Sequence, residues 1–198
     1  MKDILSVLAG IIFLVGFVPY IRAILRKKDP IKPSKVSWLI WTANDAMILS
    51  GMVAKHSLSG QIVGALLGSI VTLVLALKFG KAEWTWVDKG SLAGSILGVI
   101  LWALLKEPNF CIVISVGVAL VGSIPTYVSM WNSPEDEDKV GWTIFSSSSI
   151  FAIGAIPALT WEDATQPIGY ALGNVVIMFL LFIRPRLLPA KKPVKSQA

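Results

Sequence analysis

The stretch LVGFVP at residues 14–19 returns as LVGSIP at residues 120–125, at an offset of 106 residues. Both copies lie inside apolar segments of helical length, and each copy ends in a proline. A proline within a helix removes one backbone hydrogen bond and bends the helix. Two bends at matching places therefore predict a duplicated chain in which Pro19 and Pro125 are hinges around a shared centre.

The composition places this duplicated chain in a membrane. Of its 198 residues, 55% are hydrophobic and 15% are charged, and its mean hydropathy is +0.71. A water-soluble domain of this composition would expose large apolar patches. Apolar segments of about 20 residues are typical of membrane helices, which satisfy their backbone groups internally. We therefore expect an all-α integral membrane protein.

Apolar segments alternate with charged or Gly/Pro/Ser-bearing turns and predict seven transmembrane helices in a single domain, residues 1–198. We expect these helices at residues 4–25, 36–54, 60–79, 91–105, 109–131, 140–159 and 166–187. The first span contains the repeated motif and is longer than a signal-peptide core, so we expect it to remain in the mature protein.

The internal similarity continues beyond the proline motif. Val36-Ser37-Trp38 matches Val140-Gly141-Trp142 at an offset of 104, and Gly64-Ala65-Leu66 matches Tyr170-Ala171-Leu172 at an offset of 106. Since the offset changes by only two residues, length changes are confined to loops. Each copy is therefore predicted to contain three helices.

The two predicted repeats are residues 4–79 and 109–187, and the segment 91–105 has no counterpart in either. Three helices are an odd number, so a directly fused second repeat would be inverted in the membrane. A linker helix at 91–105 restores the orientation, and the repeats are then parallel, related by an axis along the membrane normal.

The eighteen lysines and arginines predict the orientation. With the N-terminus outside, fifteen lie on the cytoplasmic side, including those of the basic C-terminal tail 188–198, and only Lys2, Lys55 and Lys106 lie outside. This bias agrees with the positive-inside rule. The net charge of +6 then reflects orientation and contact with anionic lipids at the cytoplasmic face, and nucleic-acid binding is not indicated.

Two cytoplasmic loops carry opposite charges. Residues 26–28 are basic, whereas residues 135–138, at the corresponding place in the second repeat, are all acidic. We expect these loops to attract one another when the cytoplasmic side closes, with an exposed pair contributing at most about 1 kcal/mol.

Polar residues within the second span indicate a binding site. Trp38, Trp41 and Asp45 share one helical face, with Asp45 near the middle of the span. A carboxylate at that depth is costly unless it faces a wet cavity or a polar partner, so it indicates function. We expect Trp41 and Asp45 to bind a solute. The alternative is that Asp45 hydrogen-bonds a neighbouring Ser or Thr and only joins two helices.

Three further residues complete the predicted site. Asn44 faces either the same cavity or the linker helix. Ser149 matches Asp45 in the second repeat and lies in a run of four serines, which also permits close helix packing. Asn174, near the middle of the last span, offers amide donors and an acceptor to a polar solute.

Trp38 and Trp142 lie near the predicted cytoplasmic boundary. Indoles there commonly anchor helices at the membrane interface, and gating is the alternative role. With Pro19 and Pro125, these tryptophans form the predicted gate.

Together these features resemble the SWEET and PQ-loop superfamily of seven-helix transporters, which have a 3+1+3 layout. The resemblance covers residues 4–187. It is carried by Pro19 and Pro125, the basic residues 26–28, Trp38 and Trp142, and Asn174. It implies that the prolines act as gate hinges and that Asn174 helps to hold a sugar. The chain departs from the family pattern at Tyr20, Gly68 and Thr126, and its second helix has no proline.

The sequence thus predicts a transporter that moves a small polar solute by alternating access, with a sugar as the first candidate. A proton-coupled amino-acid transporter, a PnuC-like vitamin transporter and a non-transporting sorting or signal receptor of the same fold remain open, as does homo-oligomer formation. One histidine and one cysteine provide no ligand set for a structural metal. We expect no catalytic residues, no enzyme activity, no metal and no cofactor.

Overall fold

The computed structural model describes residues 1–81, 84–105 and 107–187, and all regular elements within these ranges are helical. The helices are α1 (Lys2–Leu25), α2 (Lys35–Ala54), α3 (Gly60–Phe79), α4 (Trp86–Leu105), α5 (Pro108–Gly122), α6 (Ile124–Asn132), α7 (Lys139–Gly154), α8 (Trp161–Met178) and α9 (Arg184–Leu187). A 3-10 turn at Pro134–Asp136 precedes α7, and a π-helical segment at Phe179–Ile183 joins α8 to α9. The predicted basic tail 188–198 lies outside the described residues.

Five helical segments are long and apolar enough to cross a membrane, which indicates a membrane protein. They are Lys2–Leu25, Gly60–Phe79, Trp86–Leu105, Ile112–Asn132 and Trp161–Leu187. Of the seven predicted spans, those corresponding to α2 and α7 do not meet this standard. In α2, Asn44 and Asp45 reduce the apolar character. Helix α7 has only 16 residues, or about 24 Å of rise, less than the roughly 30 Å of a bilayer core.

Two predicted boundaries, the start of α4 and the end of α7, are each wrong by five residues. The linker helix begins at Trp86 rather than at residue 91, so it has 20 residues. The sixth predicted span was expected to reach residue 159, but α7 ends at Gly154. Pro157 follows shortly, and a residue before proline is disfavoured in the helical conformation.

The last helix begins at Trp161 instead of residue 166. The Thr160 hydroxyl accepts a hydrogen bond from the Asp163 backbone N–H at 3.4 Å, and Glu162 and Asp163 place negative charge in the first turn. Both features stabilise a helix N-terminus. Asn174 is consequently the fourteenth residue of α8, whereas the predicted start at residue 166 would have made it the ninth.

Six helical segments form a ring of contacts. Helix α3 lies between α1 and α2, and α8 lies between α5 and α7. The ring closes through contacts of α1 with α7 and of α2 with α5, while α4 packs outside it on α5 and α2. In each half of the chain, the third helix therefore lies between the first and the second.

The repeated motif places one glycine at each contact between the two halves. A Cβ on Gly16 would lie 2.6 Å from the Phe145 ring of α7. A Cβ on Gly122 would overlap the Ile40 side chain of α2. Because neither glycine carries a side chain, α1 packs closely on α7 and α5 packs closely on α2.

The two repeated prolines have different backbone surroundings. Helix α1 continues through Pro19, whereas the second copy is interrupted at Ser123, two residues before Pro125, where α5 gives way to α6. Pro125 has no N–H to bond the Val121 carbonyl, which explains a weak point here. Movement about either proline stays a prediction.

Candidate functional site

A cavity lies at the centre of the helix ring and receives side chains from all its helices. It holds about 650 Å³ of space free of atoms, including its open part. Eight aromatic residues line it: Phe13, Phe17, Trp38, Trp41, Tyr127, Trp142, Phe145 and Tyr170. Four polar side chains also line it: Asp45, Ser69, Ser123 and Asn174. A mostly apolar wall with a few polar groups is typical of small-molecule sites.

The cavity collects some of the residues predicted from sequence and not others. Those that line it are Trp38, Trp41, Asp45, Trp142 and Asn174. Pro19, Asn44 and Ser149 are not part of its lining, and Pro125 instead lines a separate cleft near the start of α2. Lining the cavity places a residue where a solute can reach it, and its role there stays a prediction.

Asp45 is buried and faces the cavity. Its Oδ1 accepts a hydrogen bond from the Tyr170 hydroxyl on α8, so the carboxylate joins α2 to α8 as well as facing the cavity. The one ion pair in the described ranges is Lys55–Glu107, with 3.7 Å between Nζ and Oε1. Asp45 therefore has no cationic side chain beside it among the described residues, and a proton or a donor group on a solute would satisfy it.

Trp41 connects the cavity to the interruption between α5 and α6. Its indole Nε1 donates to the Ala119 carbonyl at 3.2 Å and to the Ser123 Oγ at 3.0 Å. The Ser123 hydroxyl in turn donates to the Ala119 carbonyl at 2.9 Å. A solute that displaced the Trp41 ring would thus remove its hydrogen bonds to the segment where α5 gives way to α6.

A buried hydrogen-bond network lies beside the cavity, between α3, α7 and α8. Gln61 Nε2 donates to Ser148 Oγ at 2.8 Å and to Ser149 Oγ at 3.1 Å. Gln166 Nε2 donates to Gln61 Oε1 at 3.0 Å. Asn174 Nδ2 donates to Ser149 Oγ at 3.0 Å. Ser149 therefore positions Asn174, which itself reaches the cavity.

Gln61 and Gln166 were missed by the sequence reasoning, although both are fully buried. They lie near the starts of α3 and α8, where polar residues are ordinarily exposed. Only the packing of the two helices against α7 reveals that the amides are inside.

Asn44 has a local role in the structure. Its side-chain amide donates to the Ile40 carbonyl at 3.0 Å, one turn earlier in α2. Its Oδ1 is buried without a partner in the described ranges. The residue is adjacent to Asp45 in sequence but points away from the cavity, as the 100° rotation between neighbouring residues permits.

Tyr20, Trp38 and Trp142, which we call the aromatic lid, lie toward the end of the cavity where α2 and α7 begin, and the two tryptophans line it. The Tyr20 ring lies 5.4 Å from the Trp38 ring and 5.8 Å from the Trp142 ring, centre to centre. Trp38 and Trp142 are only 4% and 5% exposed. Such burial keeps both indoles away from the lipid headgroups that an interfacial anchor would contact, and their role as a gate stays a prediction.

Glu137 supports this lid from the loop before α7. Its Oε2 accepts hydrogen bonds from Trp142 Nε1 at 3.2 Å and from the Tyr20 hydroxyl at 3.5 Å. Burial raises the pKa of the Glu137 carboxyl to about 7, although the hydrogen bond from Trp142 and the charge of Lys81 oppose this rise.

The predicted pairing of the acidic loop with residues 26–28 is not formed in this structure. Within the described ranges, no ion pair joins the two loops. Glu137 turns inward to the lid, and Asp138 caps α7 by accepting a hydrogen bond from the Gly141 N–H at 2.5 Å. Two of the four acidic residues thus have local partners.

The described part of the chain contains no group of three His, Cys, Asp or Glu side chains placed to hold a metal ion. The resemblance to the SWEET and PQ-loop superfamily rests on the sequence motifs alone. Comparison of the chain with known protein families, with curated proteins and with solved structures finds no match.

Proposed function

We propose that this protein is a membrane transporter that moves a small polar solute by alternating access. The observation that carries the proposal is the central cavity, which is lined by helices from both halves of the chain. It contains the carboxylate of Asp45, which forms no ion pair within the described part of the chain. A carboxylate held at the middle of a membrane helix is costly and is typical of a solute or ion pathway.

The proposal includes an architecture of seven transmembrane helices, with the N-terminus outside and the C-terminus cytoplasmic. Helices α1–α3 and α5–α8 form two parallel repeats, and α4 links them. The matching helix order in the ring and the matching positions of Gly16 and Gly122 support this assignment. The charge distribution supports the orientation.

A sugar is the first candidate solute. Aromatic rings such as Trp41 and Phe145 can stack on the C–H face of a sugar ring, while Asp45 and Asn174 can bond its hydroxyl groups. The protein requires no cofactor or catalytic residue for this role.

A second candidate is the proton-coupled transport of an amino acid or another amine. It is favoured by the combination of Asp45, which has no cationic neighbour in the described ranges, with a wall of eight aromatic residues. A cationic group is attracted both to a carboxylate and to aromatic faces. A vitamin with a flat aromatic ring would stack on the same aromatic side chains of the cavity wall.

Two features beside the cavity support a gating mechanism. The aromatic lid and Glu137 lie toward one end, and Trp41 holds the break between α5 and α6. Entry of a solute beside Trp41 would loosen this attachment, allow α6 to move about Pro125 and open the lid.

The test is a solute screen on the purified protein followed by uptake in proteoliposomes. Hexoses, amino acids, quaternary ammonium compounds and flat vitamins are compared by thermal shift, since a bound solute raises the melting temperature. We expect one class to bind and to enter vesicles. Phe13→Ala, which alters the cavity wall, should weaken binding, whereas Phe110→Ala, at an exposed position on α5, should not.

A solute that binds but does not enter vesicles would overturn transport and favour the receptor role. Binding of amines but not of sugars would replace the first candidate solute with the second. If no class binds, or if Phe13→Ala and Phe110→Ala behave alike, the cavity is not the solute site.

A further inference from the structure

A second, larger cleft lies where α2 begins and shares no lining residue with the central cavity. It holds about 1180 Å³ of space free of atoms, including its open part. The walls come from the segment before α2, the first turn of α2, the beginning of α4 and one face of α6. We call it the lysine cleft after Lys32, Lys35 and Lys81, which line it.

The lysine cleft is positively charged. Of the described residues that line it, three are lysines and one is acidic, Asp88, whose Oδ2 already accepts hydrogen bonds from the Thr85 N–H at 2.8 Å and the Thr85 hydroxyl at 2.7 Å. No ion pair in the described ranges includes any of the three lysines, although the charge of Lys81 also acts on the Glu137 carboxyl. Lys81 Nζ donates to the hydroxyl of Ser129 on α6.

The start of α2 adds to this positive field. Ser34, the N-cap of α2, lines the cleft, and its Oγ accepts a hydrogen bond from the Ser37 N–H at 3.2 Å. The N-terminus of a 20-residue helix carries partial positive charge and favours a nearby anion. Helix and lysine charges thus act on the same space.

The same cleft also has an apolar side. Val36, Val87 and Val128 line it together with Trp84, which is 48% exposed. The neighbouring Trp86 is 85% exposed, as is common for tryptophans at the level of lipid headgroups. A soluble anion would make no use of this apolar wall, whereas a phospholipid has both a phosphate and acyl chains.

We propose that the lysine cleft binds the phosphate group of an anionic phospholipid from the cytoplasmic leaflet. Lys32, Lys35 and Lys81 hold the phosphate, and the apolar wall receives the upper part of the acyl chains. Because Pro125 and Ser129 also line the cleft, the bound lipid contacts the segment that follows the break in the fifth helix. The site is independent of which solute the central cavity takes.

The experiment measures the melting temperature of the full-length protein in detergent as phosphatidylglycerol or phosphatidylcholine is added. Phosphatidylglycerol should raise it in a saturable way, and phosphatidylcholine should not. In K32Q/K35Q/K81Q, the half-saturating phosphatidylglycerol concentration should rise about tenfold or more, because charge-assisted bonds to the phosphate are lost.

The matched control is K27Q/K28Q/K78Q, which removes the same charge from the same end of the molecule at residues that do not line the cleft. Its half-saturating concentration should stay within about twofold of the wild type, because the three cleft lysines are kept. General attraction to anionic lipid is lost equally in both triple variants, so the difference between them measures the contribution of the cleft. An equal loss in the two variants would show diffuse attraction and overturn the site.

Two further results would also overturn the proposal. Stabilisation by glycerol 3-phosphate at the same concentration would show that the acyl chains are irrelevant, and equal stabilisation by phosphatidylcholine would show that the charge is irrelevant. If the cleft variant does not melt cooperatively, K32Q, K35Q and K81Q are measured singly against K27Q, K28Q and K78Q. Each cleft variant should then bind phosphatidylglycerol more weakly than each control.

Discussion

At the scale of single residues, Asp45 decides between a binding site and a helix contact. It lines the cavity and also accepts a hydrogen bond from Tyr170, so each role has a structural basis. The bond to Tyr170 orients the carboxylate, while the absence of a cationic partner in the described ranges leaves its charge available to a solute or a proton.

Replacement of Asp45 by Asn separates the two roles. The amide keeps the shape and most hydrogen bonds, so Asp45→Asn should fold and melt within a few degrees of the wild type. Uptake of the solute found by thermal shift should fall about tenfold or more, because a charge-assisted bond is typically worth about 1.5–3 kcal/mol. Uptake and melting temperature are measured on the same preparation.

The control is Tyr170→Phe, which removes the donor but keeps the carboxylate. This variant should lose more stability than Asp45→Asn and retain more uptake. A destabilised Asp45→Asn with wild-type turnover would mean that Asp45 only joins α2 to α8.

Glu137 predicts a pH dependence of stability. Its pKa is about 7 in the folded protein, raised by burial above the ordinary value of 4.5. Between pH 4.5 and about pH 7, the folded state binds more protons at Glu137 than the unfolded state does. The free energy of unfolding therefore falls as the pH rises through this range and no longer changes above it. The full effect is on the order of 3 kcal/mol.

Glu137→Gln should remove this component. From pH 5 to pH 8, its melting temperature should fall less than that of the wild type. Glu135→Gln, at an exposed position of the same loop, is the control and should follow the wild-type profile. Parallel profiles for wild type and Glu137→Gln would show that Glu137 is not buried against the lid.

At the scale of helices, the repeated motif has a packing explanation. Gly16 and Gly122 permit close contact of α1 with α7 and of α5 with α2, and these two contacts hold the halves of the ring together. The prolines that follow them differ, since only the second copy has an interruption in the helix.

Two alanine substitutions in α5 test the packing. A Cβ at Gly122 would overlap Ile40, whereas a Cβ at Gly117 would meet no atom within 4 Å. Gly122→Ala should destabilise the protein by about 1–3 kcal/mol through overpacking. Gly117→Ala should be neutral or stabilising by up to about 1 kcal/mol, since alanine favours helix. Similar denaturation midpoints for the two variants would contradict the close contact.

The sequence predicted the helices well where apolar length and repeat offset agree, as for α1 and α3. It failed at the end of α7 and the start of α8, where Pro157 and the Thr160 cap are local signals that outweigh hydropathy. Of the site, it identified the cavity-facing positions of α2, because a helical face can be read from spacing alone.

Other site residues could not be predicted, because their positions depend on contacts between distant helices. Gln61 meets Ser148 across 87 residues, and Tyr170 meets Asp45 across 125. Glu137 lies in an acidic run whose members are indistinguishable by sequence, and only the fold turns it toward the lid. Ser149 occupies the position in the second repeat that corresponds to Asp45. Its hydroxyl accepts a hydrogen bond from Asn174, however, whereas Asp45 accepts one from Tyr170.

At the scale of the whole molecule, alternating access requires that the central cavity of the helix ring opens to each side of the membrane in turn. In this structure, the Tyr20 ring of the aromatic lid packs against both Trp38 and Trp142 toward one end of that cavity. A transporter must also populate a state in which the lid is open, whereas a receptor has no such requirement.

Sided labelling of one cysteine in the cavity tests this claim without knowledge of the solute. Ser69 lines the cavity and is 2% exposed, and Ser69→Cys in a Cys111→Ser background provides a single thiol of nearly the same size. A membrane-impermeant methanethiosulfonate is added to right-side-out and to inside-out vesicles. Alternating access predicts modification from both sides. Modification from one side only, with full reaction after unfolding in detergent, would contradict alternating access.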